Sequence, residues 1–318
     1  MTENFVYLSD KILKNLNISA SAVADAIENA LVAKAQGRLH TPPKTELMPG
    51  GGRHMKSMLA VGDDGFIVVK QINNCPANSE RNLSTVNGAI MVLDAESGLL
   101  RAIIGANWIT AVRTAALSVV AARRLANPVS ETVAFIGTGV QAHSHLVAFK
   151  ELFPLKRVLV LGRGQANINK LCQKAEENGL EAEACCNAEE ALRNADLVVT
   201  SVTLDYSIKP FLDAHSLKSN AFAAIADACI PWLPASMNAF RTVIVDDLLQ
   251  EAESKIPMLP SDQITGDLTA LVSGAIAEPI DGSPAAFAFR GIALGDYAAA
   301  VLAVQHAEAA GVGMRVEA

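Results

Sequence analysis

The segment Ile136-Gly137-Thr138-Gly139-Val140-Gln141-Ala142 constrains the fold more than any other stretch of this chain. It comes after the apolar run Thr132–Ile136 and leads into a helical pattern over residues 141–152. A Gly-x-Gly-x-x-Ala turn in that setting has a physical reading. The first glycine permits the tight turn, the second lets backbone approach a pyrophosphate, and the small Ala142 allows close helix–strand packing, while the helix amino terminus attracts the anion. Standing alone the pattern also suits a plain structural turn. The rest of the chain favours the dinucleotide reading: strands at Arg157–Leu161, 181–185, 197–202, 221–226 and Thr242–Val245 alternate with helices at 167–178 and Ala188–Asn194. Alternation of this kind predicts a doubly wound parallel sheet, the Rossmann form of an α/β protein.

The preceding third of the chain reads differently. Ser19 caps a predicted amphipathic helix over 19–35, in which Val23, Ile27 and Leu31 recur at intervals of four. Short apolar runs at 57–61, 66–69 and 89–93, separated by Gly, Asp and Asn, predict a mainly antiparallel sheet, and 108–126 reads as a helix. After Asp267 the segments 268–276 and 292–309 look helical. With 318 residues, two domains are expected. Residues 1–120, completed by a carboxyl-terminal helix over 292–318, form a smaller α+β domain, and 121–291 form the Rossmann domain. The cluster Pro49-Gly50-Gly51-Gly52-Arg53 lacks a following Gly-Lys-Ser/Thr and reads as a turn between strands.

Composition narrows the partners. Twenty-six Lys and Arg stand against 33 Asp and Glu, a formal charge of −7 that disfavours nucleic acid and anionic membrane surfaces. No long uncharged apolar run predicts a membrane span, and residues 1–16 lack the pattern of a secretory signal. Five cysteines without metal-ligand spacing suit a reducing cytoplasm, and Cys185-Cys186 reads as strand packing rather than a redox pair. His54, His143, His145, His215 and His306 are scattered, and no catalytic metal is expected.

Where a second Rossmann strand ends, an acidic residue would meet the ribose hydroxyl of NAD. Here the chain has Leu161-Gly162-Arg163. The absent carboxylate and the guanidinium fork of Arg163 favour a 2′-phosphate, so NADP(H) is expected over NAD(H), with a solvated loop arginine as the alternative.

Lys70 with Asn73, Pro76 and Asn78, then 93–98 (Leu-Asp-Ala-Glu-Ser-Gly), then Trp108-Ile109-Thr110 running into Arg113-Thr114-Ala115-Ala116, then the 137–142 turn, Val245-Asp246-Asp247 and Gly291 to Asp296 occur in one order along the chain. In these motifs the sequence resembles the ornithine cyclodeaminase/mu-crystallin family. The resemblance implies a homodimer, built through the first domain, that works on a small amino or imino acid. The chemistry it implies is hydride transfer between a nicotinamide and the α carbon.

On that resemblance, Arg113 clamps the substrate carboxylate, its planar guanidinium suiting both oxygens. Lys44 assists it, a position that reads equally as a surface lysine. Lys70 closes an apolar run and either holds the carboxylate or passes a proton to nitrogen. Asp227 interrupts the apolar strand 221–226 at its carboxyl end, where ligands of open parallel sheets bind; it handles the nitrogen, or is a turn or cap aspartate. Met58 lines the substrate site. Thr110, Gly137, Thr138, Gly139, Val140, Gln141, Arg163 and Val202 serve the cofactor. Cyclodeaminases of the family carry a glutamate directly before that methionine, where this chain has Ser57, and a Pro-Gly-Lys loop where this chain has Ala228 to Leu233 with Trp232. Both departures point toward an NAD(P)H-dependent reductase of a small or cyclic α-imino acid such as pyrroline-2-carboxylate, or the reverse dehydrogenase. An ornithine cyclodeaminase, making proline and ammonia with NAD, is the alternative, and a cofactor-dependent binding protein without turnover is a second.

Overall fold

The computed structural model describes residues 4–276 and 282–317. The chain divides into two compact units, Met1–Arg113 with Gly291–Ala318, and Thr114–Arg290. The first unit begins with β1 (Asn4–Leu8), α1 (Asp10–Asn15), α2 (Ala20–Ala35), β2 (Leu39–His40), β3 (Thr45–Gly50), β4 (Arg53–Gly62), β5 (Phe66–Asn74), β6 (Val86–Asp94) and β7 (Leu100–Gly105). Helix α3 (Ala106–Leu125) carries the chain into the second unit. There β8 (Thr132–Ile136), α4 (Val140–Leu152), β9 (Arg157–Leu161), α5 (Gln165–Glu177), β10 (Glu181–Ala184), α6 (Ala188–Asn194) and β11 (Leu197–Thr200) precede β12 (Phe222–Ile225), β13 (Thr242–Val245), α7 (Leu248–Ala252), β14 (Gly266–Asp267), α8 (Leu268–Val272) and β15 (Ala285–Ala288). The chain then returns to the first unit with α9 (Ala293–Ala310) and β16 (Met314–Glu317).

The first sheet runs β16-β1-β7-β6-β5-β4-β2, with β3 also on β4, and is antiparallel except where β1 pairs with β7. Strand alternation sorts its two faces. One row across the inner face reads Met58, Lys70, Ile90, Ile104 and Leu8, all buried. Helix α2 packs on α9, with Ser19 Oγ accepting the Ala22 N–H at 3.1 Å as its cap and Val23, Ile27 and Leu31 buried. Helix α9 is rich in Ala, with Leu and Val, and the small side chains let it lie close to α2, β4 and β5.

The second sheet runs β10-β9-β8-β11-β12-β15-β13-β14, with every pairing parallel. Strands β8, β11, β12, β13 and β15 are buried throughout or nearly so, as a sheet covered on both faces requires. The strand order reverses between β8 and β11, the topological switch point where such sheets bind ligands beyond their carboxyl edges.

Four expectations need correction. The carboxyl-terminal helix does not run through 292–318: Gly311, left-handed at φ 65°, caps α9, and the chain continues as β16 along β1. The helix over 268–276 is shorter, α8 ending at Val272. Lys70 does not close its strand, since β5 continues to Asn74. Strand β15, four residues of Ala and Phe, is not expected from the sequence pattern, yet it sits between β12 and β13.

Candidate active site

The inner row of the first sheet places one charged residue, Lys70, among apolar neighbours. Its ammonium is fully buried and donates to Asp296 Oδ1 at 2.6 Å. Burial, reinforced by the Arg113 guanidinium and opposed by Asp296, pushes the Lys70 pKa down to about 8. Arg113 Nε lies 3.1 Å from the same carboxylate oxygen. The N–H direction is too oblique for a hydrogen bond, and Arg113 Nε and Nη1 and Asp296 Oδ2 are buried without a hydrogen-bond partner among the described residues. An unfilled guanidinium fork in a buried setting suits a ligand carboxylate.

Gly291 makes room for this arrangement. Its φ is +85°, and a Cβ there would lie 2.5 Å from Arg113 Nη1. Its carbonyl accepts a hydrogen bond from Lys44 Nζ at 3.3 Å, which brings Lys44 beside the clamp. Met58, directly across from Lys70 on β4, is buried at the same place. Lys44, Met58, Lys70 and Arg113 therefore converge in one unit. The fifth member, Asp296, is not singled out as a site residue by the sequence. The signal for it was a lone carboxylate within the apolar run of α9.

Ser57 and Trp232, the basis for expecting a less charged site, do not support that expectation. Ser57 pairs with Gln71 on the sheet face opposite Met58 and Lys70, and its hydroxyl bonds the Gln71 side chain. The position on the Lys70 face next to Met58 belongs to Lys56. Trp232 is buried to 1% exposure and packs edge-on against Phe240 with centroids 5.5 Å apart, so it lines no open loop.

In the second unit, Gly137 ends β8 with φ +104°, its N–H donating to the Leu161 carbonyl at 2.9 Å. A Cβ at this position would lie 2.6 Å from the Ser201 carbonyl oxygen, so only glycine fits. At Gly139, the N-cap of α4, a Cβ would meet nothing within 4 Å, and no side chain caps the helix. The free amide groups thus face open space, a ready anion site. A cavity of about 650 Å³ opens here, lined by Gly137, Thr138 and Gly139, by Leu161 to Gly164, and by Ser201 to Thr203. Ser201 Oγ and Gln141 Oε1 are buried and unpartnered among the described residues. Turn, amides and orphaned polar atoms together fit a dinucleotide. Val140 is exposed and can offer only backbone to it, and Arg163 is exposed on the rim. Thr110 belongs to the first unit, where its hydroxyl donates to the Ala106 carbonyl at 2.6 Å.

Asp227 comes just after β12 and is fully buried. Its Oδ1 accepts the Thr200 hydroxyl at 2.9 Å and its Oδ2 the Val202 N–H at 3.0 Å. Burial outweighs these bonds and raises its pKa to about 7. Val202 thus holds the carboxylate in place. Trp232 Nε1 donates to Thr200 Oγ1 at 3.4 Å, so the hydroxyl is polarised toward Asp227. Ala228 and Cys229, both left-handed at φ 54° and 61°, turn the chain sharply after it, a strained conformation of the kind that accumulates at functional sites.

His143 and His145 share α4, but His145 is buried, bonded to Ser118 Oγ and the Gln141 carbonyl, and held down to about pKa 4 by burial. Among the described residues no group of three or more His, Cys, Asp or Glu could hold a metal ion, and no helix is long and apolar enough to cross a membrane.

A doubly wound sheet with a dinucleotide-type turn, joined to a sheet unit that carries a buried charged cluster, defines an α/β protein of dehydrogenase type. The chain belongs to the ornithine cyclodeaminase/mu-crystallin family, whose model matches residues 2–310. It is similar to an alanine dehydrogenase of Archaeoglobus fulgidus, 28% identical over 313 residues and 94% of each chain. Among solved structures it resembles an archaeal alanine dehydrogenase dimer with bound NAD, with TM-score 0.87, 25% identity, and 98% of this chain and 99% of that one covered. It also shares the fold of the Thermococcus litoralis Δ1-pyrroline-2-carboxylate reductase in complex with NADH and L-proline. There the TM-score is 0.88 and the identity 24%, with coverage of 98% and 100%.

Proposed function

We propose that this protein is a nicotinamide-dependent oxidoreductase that interconverts a small α-imino acid and the corresponding amino acid. The observation that carries the reading is the buried Arg113 fork beside Lys70, two cations sharing one carboxylate and leaving guanidinium donors unfilled. Arg113 and Lys44 would hold the substrate carboxylate. A bound nicotinamide supplies hydride exchange with the α carbon. As hydride adds to that carbon, the C=N electron pair passes to nitrogen, which needs its charge balanced or a proton delivered. Lys70 and Asp227, with pKa values moved toward neutrality, suit that task. Kinship to an alanine dehydrogenase over 94% of the chain supports C–N chemistry.

Gly137, Thr138, Gly139, Val140 and Gln141 would cradle the pyrophosphate, and Thr110 and Val202 are further cofactor-binding residues in this reading. NADP(H) is proposed over NAD(H), because the loop Gly162-Arg163-Gly164 on the cavity rim has no acid and α5 begins without a side-chain cap. Arg163→Ala should weaken NADPH binding about tenfold or more and NADH little, and equal losses would remove the 2′-phosphate assignment.

A homodimer is proposed through the outer face of the first sheet. One row there reads Leu59, Val69, Met91, Ile103, Tyr7 and Met314 from β4 to β16, with Leu59, Met91, Tyr7 and Met314 between 39% and 63% exposed. A continuous apolar row on a surface marks an interface, and the archaeal alanine dehydrogenase is a dimer. Five free cysteines suit a cytoplasmic setting. The deciding assay tracks NADPH and NADH absorbance against pyrroline-2-carboxylate, piperideine-2-carboxylate, and pyruvate with ammonium. Stoichiometric oxidation supports the reductase, whereas proline and ammonia formed from ornithine with catalytic NAD would instead establish a cyclodeaminase.

A further inference from the structure

The carboxylate of Asp296 is used unevenly. Its Oδ1 accepts the Lys70 ammonium at 2.6 Å and has Arg113 Nε 3.1 Å away, while its Oδ2 is buried with no hydrogen-bond partner among the described residues. The whole side chain is 1% exposed. A carboxylate between two cations gains most when they spread over both of its oxygens, and a buried anionic oxygen left empty costs free energy. Lys70 and Arg113 nevertheless crowd one oxygen. The other is free for a donor that comes from outside the packing of the chain.

Empty donors stand next to this empty acceptor. Arg113 Nε and Nη1 are buried without a hydrogen-bond partner among the described residues, and Nη1 is the atom that a Cβ at Gly291 would meet. One residue further on, Ile292 is the N-cap of α9, whose amino terminus no side chain among the described residues caps, and Asp296 lies in the first turn of that helix. Uncapped amides favour an anion on this side of the guanidinium. An unfilled cationic donor and an unfilled anionic acceptor, set side by side, match an α-imino or α-amino acid. Such a molecule has a carboxylate and, two bonds from the carboxyl carbon, a nitrogen that carries N–H donors. A simple carboxylic acid would fill Arg113 and leave Oδ2 empty.

We propose that Asp296 is a further catalytic residue, whose Oδ2 accepts the N–H of the substrate α-nitrogen while Arg113 holds the substrate carboxylate. This rests on the imino-acid reading above and adds to Lys70 and Asp227 a group that touches the nitrogen directly. Before reduction the iminium nitrogen is positive, and Asp296 orients it by a charge-assisted hydrogen bond. Once hydride from the nicotinamide has added to the α carbon, the C=N π pair becomes the nitrogen lone pair and the charge at nitrogen is gone. A proton from the Lys70 ammonium, held on Oδ1 of the same carboxylate, then gives the ammonium product and leaves Lys70 neutral until solvent reprotonates it.

The test is calorimetry on the intact protein with saturating NADP+ and, separately, NAD+, using ligand pairs that differ in the nitrogen: L-alanine with propanoate, and L-proline with cyclopentanecarboxylate. In at least one pair the amino acid should bind about tenfold or more tighter. Asp296→Asn should cut that ratio by about tenfold, while the carboxylic acid binds as well or better, because an anion beside its site has been removed. No pair in which the amino acid binds tighter overturns the proposal. So does an Asp296→Asn protein in which both ligands weaken together, since Asp296 then does no more than hold Lys70 and Arg113 in place, and so does a ratio that falls in Asp227→Asn but not in Asp296→Asn. If Asp296→Asn does not fold, the same ratio is compared between Lys70→Met and the double variant Lys70→Met with Asp296→Asn, with the same outcomes. Turnover is no part of this readout, so a protein that reduces no imino acid fails the reductase reading separately.

Discussion

Lys70 Nζ lies 2.6 Å from Asp296 Oδ1, 226 positions away along the chain, with both side chains sealed from solvent. The bond ties the central strand β5 to the amino-terminal turn of α9, and Arg113 leans on the same oxygen. Removing the carboxylate leaves two buried cations without their shared anion. Asp296→Ala should therefore cost about 3–5 kcal/mol of stability, and the double variant Asp296→Ala with Lys70→Met should recover part of it. Urea unfolding of the three proteins measures both numbers. An Asp296→Ala loss near zero would mean that the pair does not hold the unit together.

Gly291 faces the Arg113 guanidinium at a positive φ. Gly291→Ala should push the fork aside, raising KM for the imino acid about tenfold while kcat changes less. Steady-state kinetics separates the two parameters, and an unchanged KM contradicts Arg113 as the carboxylate clamp.

The two perturbed groups set a pH dependence. Lys70 near 8 and Asp227 near 7 are both protonated below those values. Reduction should therefore decline as pH rises from about 7 to 9, and oxidation of the amino acid should rise over the same span. Asp227→Asn should remove the limb near 7 in kcat/KM and leave the one near 8. A profile identical to wild type would exclude Asp227 from the proton chemistry.

Trp232 acts on Asp227 through Thr200, its indole N–H fixing the hydroxyl so that the hydroxyl donates to the carboxylate. Trp232→Phe should raise the pH limb assigned to Asp227 by several tenths of a unit, Thr200→Val should raise it more, and Thr200→Ser should restore it. These are positioning roles, and a pH limb that stays put in Thr200→Val would reduce both residues to packing. Cys229, the thiol nearest to feel the Asp227 charge, is itself held protonated by burial and by that carboxylate, so it does not confuse the profile.

Much of this arrangement was legible in the chain because strong local chemistry marked it. Gly137 and Gly139 announced the switch-point turn, and Lys70 and Asp227 stood out as charges in apolar runs. Other features left no local trace. Asp296 hides in a helix whose buried face is mostly Ala, Leu and Val, and its role appears only when α9 returns from beyond the second unit to meet β5. Strand β15 is four residues of Ala and Phe, too short for periodicity to decide, and gains its place by pairing with β12 and β13. Ser57 misled because a strand turns its side chains over at every residue: one position separates the outer face, with Gln71, from the inner face, with Lys70. Trp232 misled because burial cannot be read from an apolar residue in a loop; its indole fills the core beside Phe240.

The central claim is that the Lys70, Arg113 and Asp296 cluster receives an α-imino acid for reduction by a nicotinamide. The most direct measurement is NADPH and NADH oxidation, with product identified by mass, for the wild type and Arg113→Lys across cyclic, small and dicarboxylic imino acids. One NAD(P)H consumed per amino acid formed, with Arg113→Lys reduced about 100-fold in kcat/KM through loss of the planar fork, is the predicted result. Amino acid formed without net cofactor oxidation, or an Arg113→Lys enzyme as fast as wild type, would contradict it.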